Sequence, residues 1–287
     1  MLTILNPRKN RLLAETASLD CQLLLPHFEL VALDRGDVLY QAGGLMPFAY
    51  FPITAIIAVD CLLEDGTGSE IARIGNEGML GVSILMGDKR APGRAVVKAS
   101  GYAYRLRASS LMEAFYRDRP LMRLLLRYTQ VRLMQLAQLA ACNSHHSTKQ
   151  KLCRYLLQML DRSSSNDLAA TQEEIGAIIG VRREGVTDAA RWLQDLGLIR
   201  WRRGHVTVLS RAGLSEHACE CYDAGRRASL RLLPDFPVRH AGIGAAGGVW
   251  RASGALPPFQ FAEAERRACA NDRAAQYDAL QSHLVFE

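Results

Sequence analysis

The segment from Thr171 to Leu198, TQEEIGAIIGVRREGVTDAARWLQDLGL, decides how the rest of the chain is read. Thr171 followed three residues later by Glu174 is a capping box. The threonine hydroxyl accepts from the Glu174 amide, and the Glu174 carboxylate reaches back to the Thr171 amide. Ile175, Ile178 and Ile179 come next at helical spacing, and Gly180 suits the left-handed residue that ends a short helix. A second amphipathic helix places Val186, Ala189, Ala190, Leu193 and Leu196 on one side. Near its start, the other side presents Arg182, Arg183, Glu184, Thr187, Asp188 and Arg191. Two short helices around a glycine turn, the second opening with side chains suited to base edges, describe a helix-turn-helix. An ordinary helical hairpin has the same periodicity, so the decision falls to the residues after Leu196. Gly197 ends the second helix, and 198–202 (LIRWR) and 205–209 (HVTVL) read as strands turning at Arg203-Gly204, the wing of a winged helix. The expectation is a domain that binds double-stranded DNA.

Upstream of this segment the pattern changes twice. Residues 1 to about 27 read as a short helical lead-in with Leu12, Leu13, Leu19, Leu23 and Leu24 apolar. Residues 28 to about 107 carry short strand-like runs punctuated by glycine, with a hairpin signal at Asp65-Gly66. Roughly eight strands at such spacing predict a jelly-roll-like barrel. Pro120 to Asn143 then reads as one long helix on which Met122, Leu126, Thr129, Leu133, Leu136 and Ala140 fall at heptad-like spacing. That stripe suits a coiled coil between two copies, and packing of the helix on its own barrel is the alternative. Leu121, Leu124, Leu125, Val131 and Leu139 leave apolar surface for both contacts, and a homodimer is expected. Ser147-Thr-Lys-Gln150 opens another helix after a break at 142–146. The fold class is therefore α+β. A barrel with its lead-in spans 1–117, a dimerisation helix and hinge 118–146, and a winged helix-turn-helix 147–228. A mostly disordered tail, with a possible helix at 261–281, spans 229–287.

The 287 residues, 49% of them hydrophobic, are enough for two modest domains with real cores. No apolar run reaches the ~20 residues that cross a membrane. The N-terminus lacks an apolar stretch suited to a signal peptide, so a cytoplasmic location is expected. A net charge of +6 favours polyanionic partners. Seven scattered cysteines argue against a secreted disulfide framework.

A glycine-punctuated barrel, a long helix and a winged helix-turn-helix, in this order, resemble the cyclic AMP receptor/fumarate-nitrate regulator (CRP/FNR) family of bacterial transcription factors. The resemblance covers about residues 15–225. It is most specific at Ile175-Gly-Ala-Ile-Ile-Gly-Val-Arg-Arg-Glu-Gly-Val-Thr187, which is similar to the family's I-G-x-x-x-G-x-x-R-E-x-V pattern. The resemblance implies that Arg183 and Glu184 reach base edges, with Thr187 and Asp188 beside them. A guanidinium donates to guanine and a carboxylate accepts from cytosine N4. Asp188 stands where the family often has arginine. Thr171 and Gln172, at a helix N-terminus, would meet phosphate, and Arg182, Arg202, Arg203 and His205 would add phosphate contacts. RNA polymerase and a small-molecule effector are further partners implied.

In cyclic-nucleotide-binding members, G-x-x-G-E supplies a carboxylate to the ribose and a downstream arginine neutralises the phosphate. Here Gly78-Met-Leu-Gly81 keeps the glycines, but Val82 replaces the glutamate and the arginine position falls on Gly93, with Arg94 one residue late. A shift of one residue in a strand turns a side chain to the other face. The pocket is read as degenerate, which argues against cyclic AMP as the ligand. An iron–sulfur cluster would need clustered cysteines, and Cys21, Cys61 and Cys142 are isolated in sequence. His217-Ala-Cys219-Glu-Cys221 is a compact soft-ligand group, read as incidental packing rather than a zinc site, so no metal is expected. Cys142 beside His145 and His146 reads as a buried thiol, with a redox-active thiol as the alternative.

Two functions remain. One is a homodimeric, sequence-specific transcriptional regulator not dependent on cyclic AMP. The other is a ligand-binding or adaptor protein that uses the barrel, with the winged helix making protein contacts. Enzyme motifs are missing from suitable contexts, so no catalysis is expected.

Overall fold

The computed structural model describes residues 6–16, 24–64, 68–163 and 165–233. The expected hairpin at Asp65-Gly66, the lead-in residues Leu19, Cys21 and Leu23, and the tail after 233 lie outside the described residues.

A short helix α1 (Arg11–Thr16) precedes seven strands. These are β1 (Glu29–Leu33), β2 (Val38–Tyr40), β3 (Phe48–Pro52), β4 (Ile56–Leu62), β5 (Gly68–Ile74), β6 (Arg94–Ala99) and β7 (Gly101–Arg107). They form two antiparallel sheets, one in the order β1-β7-β3 and the other β2-β6-β4-β5. The jelly-roll-like expectation is met by these facing sheets, supplemented by isolated bridges Leu45–Arg90 and Tyr50–Leu80. Alternation along β4 and β6 directs Ile57, Val59, Ala95 and Val97 into a common core, which Ala103 and Leu106 of β7 also join. The lead-in is fixed by Asn10, which is fully buried. Its amide donates to the Pro52 and Gly78 carbonyls, both at 2.8 Å.

A one-turn helix α2 (Val82–Leu85) and α3 (Ala108–Arg117) lead into α4 (Arg119–His145). Asp118 caps α4 by accepting from the Leu121 amide at 2.9 Å, and Pro120 sits in its first turn, where no amide is needed. One face of α4 carries Leu121, Leu125, Tyr128 and Val131 into the core between the sheets. The opposite side leaves Leu126 and Leu133 each 50% exposed and Leu136 38% exposed. Ala140 is exposed as well. Four of the six residues of the expected seam stripe thus share an open face; Met122 packs against the first core. Thr129 is not on that face either, since it is buried and its hydroxyl donates to the Leu125 carbonyl at 2.9 Å.

The rest of the described chain builds a second core. Helix α5 (Thr148–Arg162) starts at a complete capping box between Ser147 and Gln150. It is followed by β8 (Asp167–Ala169), α6 (Gln172–Ile179), α7 (Arg183–Asp195), β9 (Ile199–Arg202) and β10 (His205–Val208). Leu152, Leu156, Ile175, Ile179, Val186, Leu193, Ile199 and Val206 interlock there. Strand β8, which the sequence reading did not anticipate, pairs with β10 and makes the wing three-stranded. Helices α8 (Arg211–His217) and α9 (Cys221–Leu232) are the last elements among the described residues. Helix α9 runs back along α4 and delivers Leu232 and Leu233 to the first core.

Candidate nucleic-acid interface

The turn between α6 and α7 is built from local rules. The Thr171 hydroxyl accepts from the Glu174 amide at 3.1 Å, and Glu174 accepts from the Thr171 amide at 2.9 Å. Gly180 takes φ 66° and ψ 42°, a left-handed geometry that a side chain disfavours. Gly176 is the tighter position, because an added Cβ would lie 2.7 Å from the Val181 carbonyl. The α6–α7 crossing therefore depends on both glycines. Arg182 precedes α7 without a side-chain cap; the Gly185 amide donates instead to the Arg182 carbonyl at 3.0 Å.

Arg182, Arg183, Glu184 and Asp188 are all exposed at the start of α7 or just before it. Asp188 lies 3.8 Å from Arg191 in a solvent-exposed pair. Thr187 behaves differently: it is half-buried, with its hydroxyl 2.8 Å from Gln172 Oε1 and 3.1 Å from the Arg183 carbonyl. It ties the first turn of α6 to that of α7. A groove between α7 and the wing is lined by Thr171, Gln172, Arg183, Trp201, Arg203 and Gly204. Arg202 pairs with His205 across a two-residue turn, at which Arg203 and Gly204 adopt φ 45° and 80°. Positive φ at both turn residues marks the hairpin geometry that matches strand twist. Arg202 and Arg203 project into solvent. His205 is exposed but lies 3.2 Å from the Asp167 carboxylate, a neighbour that β8 brings and that repels phosphate.

The helix-turn-helix is also held to the sheet domain. The Arg73 guanidinium on β5 makes a two-point pair with Glu70 at 2.8 and 2.7 Å and donates to the Tyr155 hydroxyl on α5 at 3.0 Å. Arg162 on α5 donates to Glu77 at 2.7 Å, and Arg35 lies 3.0 Å from Glu174. Burial opposes the charged form of Glu174, yet the Thr171 cap and Arg35 hold its carboxyl below the usual range. A cavity at this junction is lined by Arg73, Glu77, Arg132, Arg154, Tyr155 and Arg162. These contacts leave the start of α7 open to solvent.

The degenerate pocket residues are placed as follows. Gly78 lies against α4, where a Cβ would run into the Tyr128 hydroxyl; that hydroxyl accepts from the Met79 amide at 2.9 Å. Gly81 takes φ 105° and Val82 begins α2. Gly93 is pressed on β4, an added Cβ being 2.6 Å from the Asp60 carbonyl, so no side chain fits there. Arg94 shares its face of β6 with Val96, opposite the core-facing Ala95 and Val97. The four residues do not assemble a carboxylate and an arginine toward one core-facing pocket.

Sequence reasoning missed one grouping. Cys219 and Cys221 meet Cys142 and His146, their ligand atoms all within 4.8 Å of one another, while His217 turns away to pack edge-on against Trp192. The four come from two segments far apart in sequence.

Residues 150–217 match the family model of the Crp-like helix-turn-helix domain. Among solved structures, FixK2 from Bradyrhizobium japonicum is 18% identical and aligns over 67% of this chain and 98% of its own, with TM-score 0.60. The c-di-GMP-responsive global regulator CLP of Xanthomonas campestris is 15% identical, covering 68% and 99% of the two chains at TM-score 0.56. TTHA1359, a CRP/FNR-family transcriptional regulator of Thermus thermophilus, is 23% identical, covering 66% and 98% at TM-score 0.55. No curated protein matches the sequence. The chain therefore has the CRP/FNR fold and carries a Crp-like helix-turn-helix domain, as the resemblance implied. Among the described residues no helix is long and apolar enough to cross a membrane.

Proposed function

We propose that the chain is a sequence-specific, double-stranded-DNA-binding transcriptional regulator that works as a homodimer in the cytoplasm and catalyses no reaction. The observation that carries this reading is the exposed first turn of α7, which presents Arg183 and Glu184, with Arg183 lining one groove with Arg203 of the wing. An α-helix enters the major groove while flanking basic groups position it on phosphate. Arg183 and Glu184 are assigned to base edges, with Asp188 following them on the exposed face. Thr171, Gln172, Arg182, Arg202 and Arg203 are assigned to phosphate. Thr187 is assigned to holding Gln172 in place, and His205 contributes less than the arginines because the Asp167 carboxylate beside it repels phosphate.

The exposed seam of Leu126, Leu133, Leu136 and Ala140 supports pairing of two α4 helices, which would set two recognition helices on adjacent grooves. Thr129 is left out of that seam. The turned-away Arg94, the crowded Gly93 and Val82 in place of a carboxylate support an effector other than cyclic AMP. The arginine-rich junction cavity is where such an effector would shift the helix-turn-helix between two arrangements. RNA polymerase remains the partner that a regulator of this fold would recruit.

The test is fluorescence anisotropy of the purified chain on duplex DNA across a salt series, followed by sequencing of fragments selected from a random pool. Binding that weakens steeply with salt and a two-fold-symmetric selected site are expected. Failure to bind at low ionic strength would favour the adaptor reading, in which the winged helix contacts protein.

A further inference from the structure

We propose that Cys142, His146, Cys219 and Cys221 form a structural zinc site that staples the end of α4 to the start of α9. This stands independently of DNA binding. Cys142 lies in the last turn of α4, and His146 follows four residues later as its C-cap, so both project from one face. Cys219 lies in the link after α8, and Cys221 is the first residue of α9. The cysteines are 0%, 4% and 2% exposed, and all are free thiols.

The distances suit the metal. With zinc–sulfur bonds of about 2.3 Å and zinc–nitrogen bonds of about 2.0–2.1 Å, a tetrahedron has edges of roughly 3.5–3.8 Å. Cys142 Sγ and Cys219 Sγ are 3.5 Å apart, and Cys221 Sγ and His146 Nδ1 are 3.4 Å apart. Every remaining separation is within 4.8 Å, so small side-chain rotations close the shell. Three thiolates and one imidazole make a soft, closed donor set, which selects zinc over hard cations. The Cys-x-Cys spacing is one residue tighter than the usual knuckle, and the other two ligands come from a helix end.

The surroundings are those of a metal site. His146 directs Nδ1 at the cluster while Nε2 lies 3.2 Å from Glu220 Oε1, the carboxylate–histidine arrangement that orients a ligating imidazole. Gln138 Nε2 donates to Cys221 Sγ at 3.0 Å. Arg154 is 5% exposed, and its Nε and Nη2 have no acceptor. Arg154 interacts electrostatically with Cys142. One Zn2+ with three thiolates carries a net charge of −1, which the +1 of Arg154 offsets. Neutral thiols would leave that buried cation uncompensated.

The full chain, purified with reductant from zinc-supplemented culture, should contain about one zinc per chain by mass spectrometry of the metal. Cobalt(II) should give the intense visible bands of a tetrahedral site and a thiolate charge-transfer band. Cys219→Ser should abolish stoichiometric retention. Glu220→Gln, at a residue with a largely exposed side chain, should weaken zinc roughly 10-fold and leave the fold intact. The proposal is overturned by a folded, reduced chain that neither retains zinc nor melts higher when zinc is added. It is equally overturned by a Cys142–Cys219 disulfide in peptide maps of the reduced preparation, or by a cobalt spectrum that Cys219→Ser leaves unchanged.

Discussion

Replacing Glu77 with glutamine tests how firmly the helix-turn-helix is held to the sheet domain. Glu77 Oε1 accepts from Arg162 at 2.7 Å and Oε2 accepts from the Gly75 amide at 3.1 Å. Glutamine keeps one oxygen for two donors and turns an N–H toward the other. The Arg162 side chain, only 15% exposed, stays charged and loses its counter-ion. Removing one partner of a buried pair costs about 3–5 kcal/mol. With 25% of the Glu77 side chain exposed, water returns part of this, and a loss of about 2 kcal/mol is expected. In a protein of this size that lowers the melting temperature by roughly 4–8 °C. The pH dependence carries a sign. Burial opposes ionisation of Glu77, but Arg162 and the backbone bond hold its folded pKa below the ordinary 4.5. Its contribution is thus full above about pH 4.5 and is lost as pH falls through the folded value. Melting curves of both proteins should lie apart at neutral pH and converge in acid. Coincident curves at pH 7, or a gap that persists unchanged at about pH 3, would refute the reasoning.

Three other outcomes concern the interface and the subunit seam. Arg183→Ala should cost about 1–3 kcal/mol on the selected site and relax preference at one base pair; an unchanged selected sequence removes Arg183 from base reading. Arg203→Gly should weaken binding to every duplex and reduce the salt slope by about 1, and a loss confined to one sequence contradicts a phosphate contact. Leu133→Asp, on the open face of α4, should halve the mass seen by sedimentation at micromolar concentration with little change in monomer melting. A dimer that persists places the subunit contact elsewhere.

The parts of the fold legible in the sequence are those written in short-range rules. Both capping boxes, the left-handed Gly180 and the Arg203-Gly204 turn each depend on residues within one turn of one another, and each forms as read. What escaped depends on partners distant in the chain. Strand β8 is three residues long and exists because β10 pairs with it, and with it comes Asp167 beside His205. Thr129 fits the heptad count, yet it is buried and its hydroxyl is spent on the Leu125 carbonyl. Thr187 has the right place in the motif, but Gln172 claims its hydroxyl. The cysteine cluster carried a signal in Cys219-Glu-Cys221; its other half, at 142 and 146, becomes adjacent when α9 folds back along α4.

The wing tip has a consequence of its own. Arg203 is a non-glycine residue held at φ 45°, in a region that unfolded chains visit seldom and that disfavours a side chain by roughly 1–2 kcal/mol. The hairpin therefore offers its guanidinium from a stiff mount. An arginine on a loose loop must surrender backbone freedom when it meets a phosphate; here that ordering is completed while the domain folds. In the proposed phosphate contact, Arg203 would bring a backbone already ordered by folding, which lowers the entropic cost of that contact.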